Sequence, residues 1–188
     1  MNYKEKIFST LQEYMTDKSF KFFSEICKIL PDCWNKPTSS TKKYHRKLNG
    51  GVPTNAEHTY HLVYATTKLL RMFNISKRTT DADKLLFAAA LHDILKYGNF
   101  GTLKHTNNKH DKDVADMVSQ NKSNFEKILS EDQFFVMEEA LRFHSGRWST
   151  DVPKNKVFDF KDYNPETLFI HILDMLSTND LIQTDVRD

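Results

Sequence analysis

The sequence has too little turn-forming chemistry for a protein built mainly of β-strands. Its 188 residues include only 5 glycines and 5 prolines, whereas β-sandwiches and barrels need such residues at short intervals. It also lacks a long apolar run, since no stretch approaches the roughly 18 apolar residues of a membrane-spanning helix. The N-terminus has no apolar segment typical of a secretory signal. We therefore expect a soluble, cytoplasmic protein that has no membrane partner.

The charge balance and the cysteine content exclude two further classes. Lys and Arg number 27 against 25 Asp and Glu, a net charge of +2, so the chain as a whole is not predicted to bind DNA or RNA. The local exception is a basic run, Lys42-Lys43-Tyr44-His45-Arg46-Lys47, which either forms a solvated loop or lines the approach to an anionic substrate. Cys27 and Cys33 have no second pair to complete a tetrahedral zinc site, so we expect them to pack as small apolar groups.

Helical periodicity runs through almost the whole chain, and no alternating run is long enough for a central strand. The pattern predicts helices over Ile7 to Met15, Phe20 to Leu30, Ala56 to Phe73, Ala82 to Tyr97, from near His110, over Glu131 to Phe143, and after Pro165. Irregular chain is expected from Pro31 to Pro53, and a surface loop that can cover a site from Thr150 to Tyr163. The prediction is one compact all-α domain, in which N-terminal helices and the basic segment (1–49) pack on a core (50–188).

An adjacent histidine and aspartate interrupt one of these apolar helices. His92 and Asp93 lie in the string AAALHDILKYG, where small apolar residues pack most tightly. Burial of two ionisable groups is costly unless something compensates them. A metal ion can do so, because imidazole and carboxylate are natural metal ligands. An ordinary hydrogen-bonded His-Asp pair is the alternative.

Other histidines and one aspartate lie at the ends or in the middle of further predicted helices. His58 opens one helix, His110 opens another, His144 ends a third, and Asp174 interrupts the apolar string ILDMLSTND. Helix ends and inner faces can converge in a bundle interior, where such folds build metal sites. The alternatives are histidines that interact with the backbone or the helix dipole and an aspartate that points to solvent. His61 competes with His58 for the role of first ligand.

Four short strings along the chain carry a family resemblance. They are GGVPTNAEHTYHLV (50–63), LHDILKYG (91–98), FHSGRW (143–148) and FIHILDMLSTND (169–180). In this order they resemble the HD-domain superfamily of metal-dependent phosphohydrolases, over roughly Gly50 to Leu181. The resemblance implies a compact helical bundle that binds one or two divalent metal ions, either Mn, Fe, Co, Ni, Zn or Mg.

The resemblance also implies a role for each ligand-type side chain. The first metal would be bound by His58, His92, Asp93 and Asp174. The second would be bound by His110 and His144, with Asp93 bridging the two. Two metals about 3.5–4 Å apart can lower the pKa of a shared water and clamp the attacking and leaving oxygens of an in-line displacement.

Three side chains close to these ligands are candidates for substrate contact. Lys96, three residues after Asp93, can reach a phosphate oxygen, or else extends from a core helix to solvent. Arg147 can bind phosphate bidentately, and Trp148 can stack on a base or simply pack. Catalytic roles are therefore predicted for Asp93, Lys96 and Arg147. His171 is expected to pack or to support one of the ligands, and His45 and His105 are expected to be solvated in loops.

The residues after the His-Asp pair help to distinguish between branches of the superfamily that have different activities. Leu95 stands where the family usually has glycine, and Ile94 to Tyr97 offer no acidic residue like the one in the deoxynucleotidase branch. This favours a phosphodiesterase or 3′→5′ exonuclease, acting on a small nucleotide or short single-stranded nucleic acid, over a 5′-nucleotidase-type phosphomonoesterase. Two alternatives to an enzyme remain. One is a non-catalytic protein that binds a nucleotide, and the other is a helical interaction module that binds no metal. The oligomeric state is left open.

Overall fold

The described chain folds into eight α-helices and two short 3-10 helices. A computed structural model of the protein describes residues 1–39, 51–153 and 159–177. The α-helices are α1 (Tyr3–Tyr14), α2 (Asp17–Ile29), α3 (Asn55–Met72), α4 (Thr80–Leu91), α5 (His110–Gln120), α6 (Lys122–Phe125), α7 (Glu131–Phe143) and α8 (Pro165–Ser177), and the 3-10 helices are Gly146–Trp148 and Phe160–Asp162. These ranges contain no strand, so the all-α prediction is confirmed for the described residues. None of these helices is long and apolar enough to cross a membrane.

One hydrophobic core joins helices from both ends of the described chain. α4 is buried on almost all sides between α3, α7 and α8, which is typical of a helix that is apolar all round. Ile7 and Leu11 of α1 are fully buried in the same core. The predicted boundary between residues 49 and 50 and the basic run 42–47 lie outside the described residues, and both stay predictions.

Polar caps place most helix ends close to the predicted positions. α3 begins one residue before the predicted start because Thr54 accepts a hydrogen bond from the backbone N–H of Glu57. α7 has the predicted bounds, and a reciprocal pair between Ser130 and Gln133 caps its start. The short helix α6 was not predicted from the sequence.

The helix that precedes the His-Asp pair ends earlier than predicted. α4 ends at Leu91 rather than continuing to Tyr97, so the predicted helical position of His92 and Asp93 is wrong. The following residues form tight turns, in which backbone N–H groups donate to carbonyls three residues earlier at 2.8–3.0 Å; the donors are Ile94, Lys96 and Gly98.

Hydrogen bonds from two distant asparagines accompany this change. The side-chain amide of Asn55 donates to the backbone carbonyl of Asp93 at 3.2 Å. The backbone N–H of Asn107 donates to the carbonyl of Lys96 at 2.7 Å. A carbonyl satisfied from outside its own helix no longer needs an intrahelical partner. The tertiary contacts therefore favour a turn where the local sequence favours a helix.

The two cysteines lie among packed residues and form no disulfide. Cys33 is buried and Cys27 is partly buried, and both are free thiols. Burial raises the pKa of Cys27 to about 12, which leaves its thiol protonated and unreactive at neutral pH. Neither thiol belongs to a group of potential metal ligands among the described residues.

A buried aspartate joins α4 to the start of α2. The carboxylate of Asp83 accepts hydrogen bonds from the N–H (2.9 Å) and hydroxyl (2.7 Å) of Thr16 and from the hydroxyl of Ser19 (2.6 Å). Thr16 caps α2, so the carboxylate also lies at the positive end of that helix dipole.

We expect Asp83→Ala to lower the free energy of unfolding by about 3 kcal/mol, because three donors lose their buried acceptor. The melting temperature should fall by roughly 6–12 °C, which thermal unfolding followed by circular dichroism measures. Asp81→Ala is the control, because the Asp81 side chain is exposed in the first turn of the same helix and makes only surface contacts. Equal effects of the two substitutions would contradict the structural role of Asp83.

Candidate metal centre

Six ligand-type side chains from five parts of the fold converge on one place. They are His58 in the first turn of α3, His92 and Asp93 in the turn after α4, His110 at the start of α5, His144 immediately after α7, and Asp174 in α8. These are the six residues that the sequence predicts as metal ligands. Their function as metal ligands stays a prediction, which the distances between these side chains support.

The first group is built around His58. Its Nε2 lies 3.0 Å from Oδ1 of Asp174, 3.0 Å from Nε2 of His92 and 3.4 Å from Oδ2 of Asp93. Ligand atoms of His58, His92 and Asp93 all lie within 4.8 Å of one another. A single cation with ligand bonds of about 2.0–2.2 Å fits between atoms at this spacing.

The second group shares the carboxylate of Asp93. Oδ1 of Asp93 lies 3.0 Å from Nε2 of His110 and 3.8 Å from Nε2 of His144, and the two Nε2 atoms are 3.2 Å apart. Asp93 therefore presents Oδ2 to the first group and Oδ1 to the second. This is the position that a bridging carboxylate needs.

Hydrogen bonds at Nδ1 orient the four imidazoles. Three Nδ1 atoms lie 2.7–2.9 Å from a backbone carbonyl: His92 with Ala89, His110 with Asn107 and His144 with Leu141. Because a carbonyl only accepts, we infer that each Nδ1 bears the proton and that each neutral ring presents a bare Nε2 to the centre. Nδ1 of His58 lies 2.9 Å from the hydroxyl oxygen of Ser177, whose proton is donated to the carbonyl of Asp174 at 2.8 Å.

This arrangement leaves lone pairs facing lone pairs. Neighbouring ring nitrogens and carboxylate oxygens of the cluster lie 3.0–3.8 Å apart. Oδ1 of Asp174 is buried and faces Nε2 of His58 at 3.0 Å, which can donate to it only when the His58 ring is protonated. These nitrogen and oxygen acceptors repel one another unless a cation lies between them. The donor set therefore fits divalent metal ions that accept imidazole and carboxylate together.

The charges of the centre keep its ligands in binding-competent states. Burial would raise the pKa of Asp93, but Lys96 and His92 hold that pKa well below its usual range. Burial likewise opposes ionisation of Asp174, and the neighbouring His58 nevertheless lowers its pKa. Burial, together with the neighbouring His110 and His92 rings, which disfavour a further positive charge, lowers the pKa of His144 to about 4. Both carboxylates and the His144 ring are therefore ready to bind a cation at neutral pH.

His58 is the ligand at which protons compete with a metal. Burial alone would lower its pKa, but Asp174 and Asp93 outweigh burial and raise it. We expect metal affinity to fall as the pH is lowered from about 8 to about 5, because the proton on His58 must leave before the ring can bind. Titration calorimetry in buffers of different ionisation enthalpy measures the protons released. A metal affinity that is constant over this range would contradict His58 as a ligand.

The structure brings one of the predicted substrate-contact residues to the centre. Lys96 is buried, and its ammonium forms an ion pair with Oδ2 of Asp93, so the side chain does not extend to solvent. Arg147 and Trp148 are exposed and are not among the converging residues. The Arg147 guanidinium instead lies over the Trp148 ring, 4.4 Å from its centroid.

The other histidines that the structure describes are not members of the six-residue cluster. His61 is buried and packs edge-on against the ring of Tyr3, with centroids 6.2 Å apart, so the structure places His58 and not His61 in the cluster. His171 donates from Nδ1 to the backbone carbonyl of His144 at 2.6 Å. His105 is exposed, as predicted, and His45 lies outside the described residues.

Three residues hold the ligands in place, and sequence reasoning did not find two of them, Ser177 and Asn55, whereas a packing or supporting role was predicted for His171. Ser177 contacts the ring of His58, Asn55 binds the carbonyl of Asp93, and His171 binds the carbonyl of His144. For Ser177 and Asn55 the available signal is their position three residues from a predicted ligand. Their actual partners are far away in the sequence, so local spacing could not identify the contacts.

Gly146 allows His171 to approach His144. Its φ is +59°, and a Cβ built on it would lie 2.6 Å from Cε1 of His171. We expect Gly146→Ala to displace the His171 ring and lower metal affinity by about tenfold, because partners that orient a ligand typically contribute this much. Metal content after dialysis against a competing chelator measures the effect.

Gly101→Ala is the matched control for Gly146→Ala. Gly101 has a similar φ of +64°, and a Cβ there would lie 2.9 Å from Pro31 instead of a residue that contacts the cluster. Both substitutions should lower stability by about 1–3 kcal/mol through backbone strain, but only Gly146→Ala should change metal content. Equal metal content in the two variants would show that His171 does not position His144.

The family of the protein follows from this site and from comparison with known families. The chain belongs to the HD domain family, whose model matches residues 55–179, more than half of the 188 residues. The matched segment contains all six converging side chains. Proteins of this family are generally metal-dependent hydrolases. No curated protein and no solved structure matches the chain.

Proposed function

We propose that the protein is a metal-dependent phosphohydrolase that cleaves a phosphoester in a nucleotide or a short single-stranded nucleic acid. Asp93 gives this proposal its main support, because one carboxylate reaches two groups of imidazoles. Divalent metals bound at these groups would polarise a phosphoryl oxygen and lower the pKa of a water held beside it. The residues around the centre would then bind and orient the phosphate.

The open side of the centre lies between α5 and α8. The side chains of His58, His92, Asp93 and His144 are at most 1% exposed, whereas those of His110 and Asp174 are each 14% exposed. A phosphate can therefore approach past the start of α5 and the middle of α8. The buried side excludes water, which strengthens electrostatic interactions with the phosphate.

Lys96 is the residue that we assign to charge stabilisation. Its ammonium is held beside the bridging carboxylate, where a phosphate oxygen can share it. Charge builds up on phosphoryl oxygens during the reaction, and a fixed cation in a water-poor site stabilises that charge.

Arg147 and Trp148 support an aromatic group in the substrate. The guanidinium covers one face of the exposed Trp148 ring, and a nucleobase can stack on the remaining face. The pair follows His144 by only three and four residues, so it is tethered close to the second ligand group.

Hydrolysis assays on metal-reconstituted protein test this function. The protein is freed of metal, loaded separately with Mn, Fe, Co, Ni, Zn or Mg, and offered phosphodiesters, phosphomonoesters, nucleotides and short oligonucleotides. Lys96→Ala should lower turnover by about 10–1000-fold. Trp148→Ala should raise the KM for nucleotides and not for a non-aromatic phosphoester. Absence of hydrolysis of every substrate with every metal would contradict the proposal.

We prefer a phosphodiesterase to a 5′-nucleotidase because Lys96, and no acidic residue, follows Asp93 closely. Nucleotide binding without turnover would instead identify a non-catalytic binding protein. The presence of all six ligand-type residues in one cluster favours the enzyme. A helical interaction module predicts that the purified protein binds no metal.

A further inference from the structure

The last helix of the described chain, α8, has two apolar faces. Its inner face packs on α3, α4 and α7 and includes the buried Ile170 and Leu173. The opposite face carries apolar residues at intervals of three and four: Leu168, Phe169, Ile172, Met175 and Leu176. A helix at the surface of a monomer normally turns charged and polar residues outward. No charged residue lies on this second stripe.

The stripe continues onto the end of α3. The ring of Phe73 lies 5.6 Å from that of Phe169, and Met72 precedes Phe73. We call this surface, from Met72 and Phe73 to Leu168–Leu176, the outer face. The exposed fractions of its large side chains are 76% for Met72, 62% for Phe73, 46% for Ile172, 40% for Met175 and 37% for Leu176.

The exposed apolar area of the outer face is about as large as the apolar area that each partner buries in a stable homodimer interface. With about 200 Å² for Phe73 and a similar area of about 200 Å² for each of the four aliphatic residues, these exposed fractions correspond to roughly 500 Å² of exposed apolar surface. A stable interface buries about 800 Å² on each partner, and homodimer interfaces are about 65% apolar. The outer face thus supplies the apolar share of one standard interface, and its polar rim can supply the rest.

We propose that the outer face binds a second copy of this chain, with α8 of one protomer against α8 of its partner across a two-fold axis. A two-fold interface brings each surface against itself, so like charges on it would repel. The uncharged stripe meets this requirement. Its spacing of three and four residues also suits packing of one helix against another. This inference does not depend on the proposed function.

Pairing of the outer faces would act on the helix that carries a predicted ligand. Asp174 and Ser177 belong to α8 and contact His58 from the side opposite the outer face. A dimer would therefore cover α8 on both sides and hold these residues in place.

Analytical ultracentrifugation of the full chain tests the proposal. The wild-type protein should sediment at twice 22.0 kDa at concentrations near 100 µM, which a dimer with micromolar affinity would populate. Ile172→Glu places a charge in the middle of the stripe and should raise the dimer dissociation constant at least about 100-fold. Ile29→Glu is the control, because Ile29 is 84% exposed at the end of α2 and lies outside the outer face.

A second measurement keeps the test informative if Ile172→Glu does not fold. Ile172→Cys should form a disulfide between copies under mild oxidation, and Ile29→Cys should not, because only position 172 lies on the proposed interface. A wild-type protein of 22.0 kDa at all concentrations, or a folded Ile172→Glu variant that dimerises like wild type, would overturn the proposal. So would a monomer that binds phosphatidylcholine vesicles through Ile172, which would assign the outer face to a lipid surface.

Discussion

Asp93→Ala is expected to give a folded protein that retains little metal and loses hydrolysis. The substitution removes Oδ2 from the first ligand group and Oδ1 from the second, so both groups lose a carboxylate at once. It also leaves Lys96 without its buried partner. Turnover should fall by at least about 1000-fold, which corresponds to about 4 kcal/mol of barrier.

Metal content, turnover and thermal unfolding of the purified variants measure this result. Asp93→Asn keeps the side-chain volume and serves if the alanine variant is unstable. Asp132→Ala is the control, because Asp132 is an exposed aspartate in the first turn of α7 and should change none of the three. Turnover within tenfold of wild type, about 1.4 kcal/mol, together with full metal content, would contradict the role of Asp93.

Removal of metal by a chelator is expected to lower the melting temperature by roughly 8–16 °C. A metal at 1000 times its dissociation constant stabilises the folded state by about 4 kcal/mol. Without it, the buried carboxylates and ring nitrogens face one another with no cation between them. Part of the binding free energy is therefore free energy of folding.

Differential scanning calorimetry before and after chelation and dialysis measures this loss. Addition of the same metal should restore the original melting temperature. The Asp93→Ala variant is the matched control and should respond much less to either step. An unchanged melting temperature in the wild-type protein, with metal content verified, would mean that no metal supports this cluster.

Much of the fold could be predicted because local sequence determines where most helices begin. The bounds of α7 were predicted from its helical period, and the structure shows that Ser130, a residue type that caps helices well, fixes its start. The end of α4 was not predicted, because the deciding hydrogen bonds come from Asn55 and Asn107. Neither asparagine is close in sequence to the carbonyl that it binds, and a local pattern contains no information about such a pairing.

The residues of the candidate site also fall into those that the sequence predicts and those that only the fold reveals. Its six ligand-type residues stand out in the sequence because ionisable groups in apolar helical segments need a physical reason. Two of the residues that hold them do not stand out, since Ser177 and Asn55 are ordinary at their positions until the fold brings them to His58 and Asp93. Arg147 was identified as a basic residue beside a ligand, but its packing on Trp148 depends on side-chain conformation.

The carbonyl contacts of the histidines have a consequence for the tolerance of the site to substitution. His92, His110 and His144 each use the main chain of the residue three positions earlier. Every amino acid supplies that carbonyl, so the orientation of each ring does not depend on which side chain stands at position 89, 107 or 141. Sequence change at positions 89 and 141 is therefore restricted by packing, whereas Asn107 also binds Asp113 and the backbone N–H of Lys109 through its side chain. The rings at positions 92 and 144 can thus keep their orientation while the residues that hold them diverge.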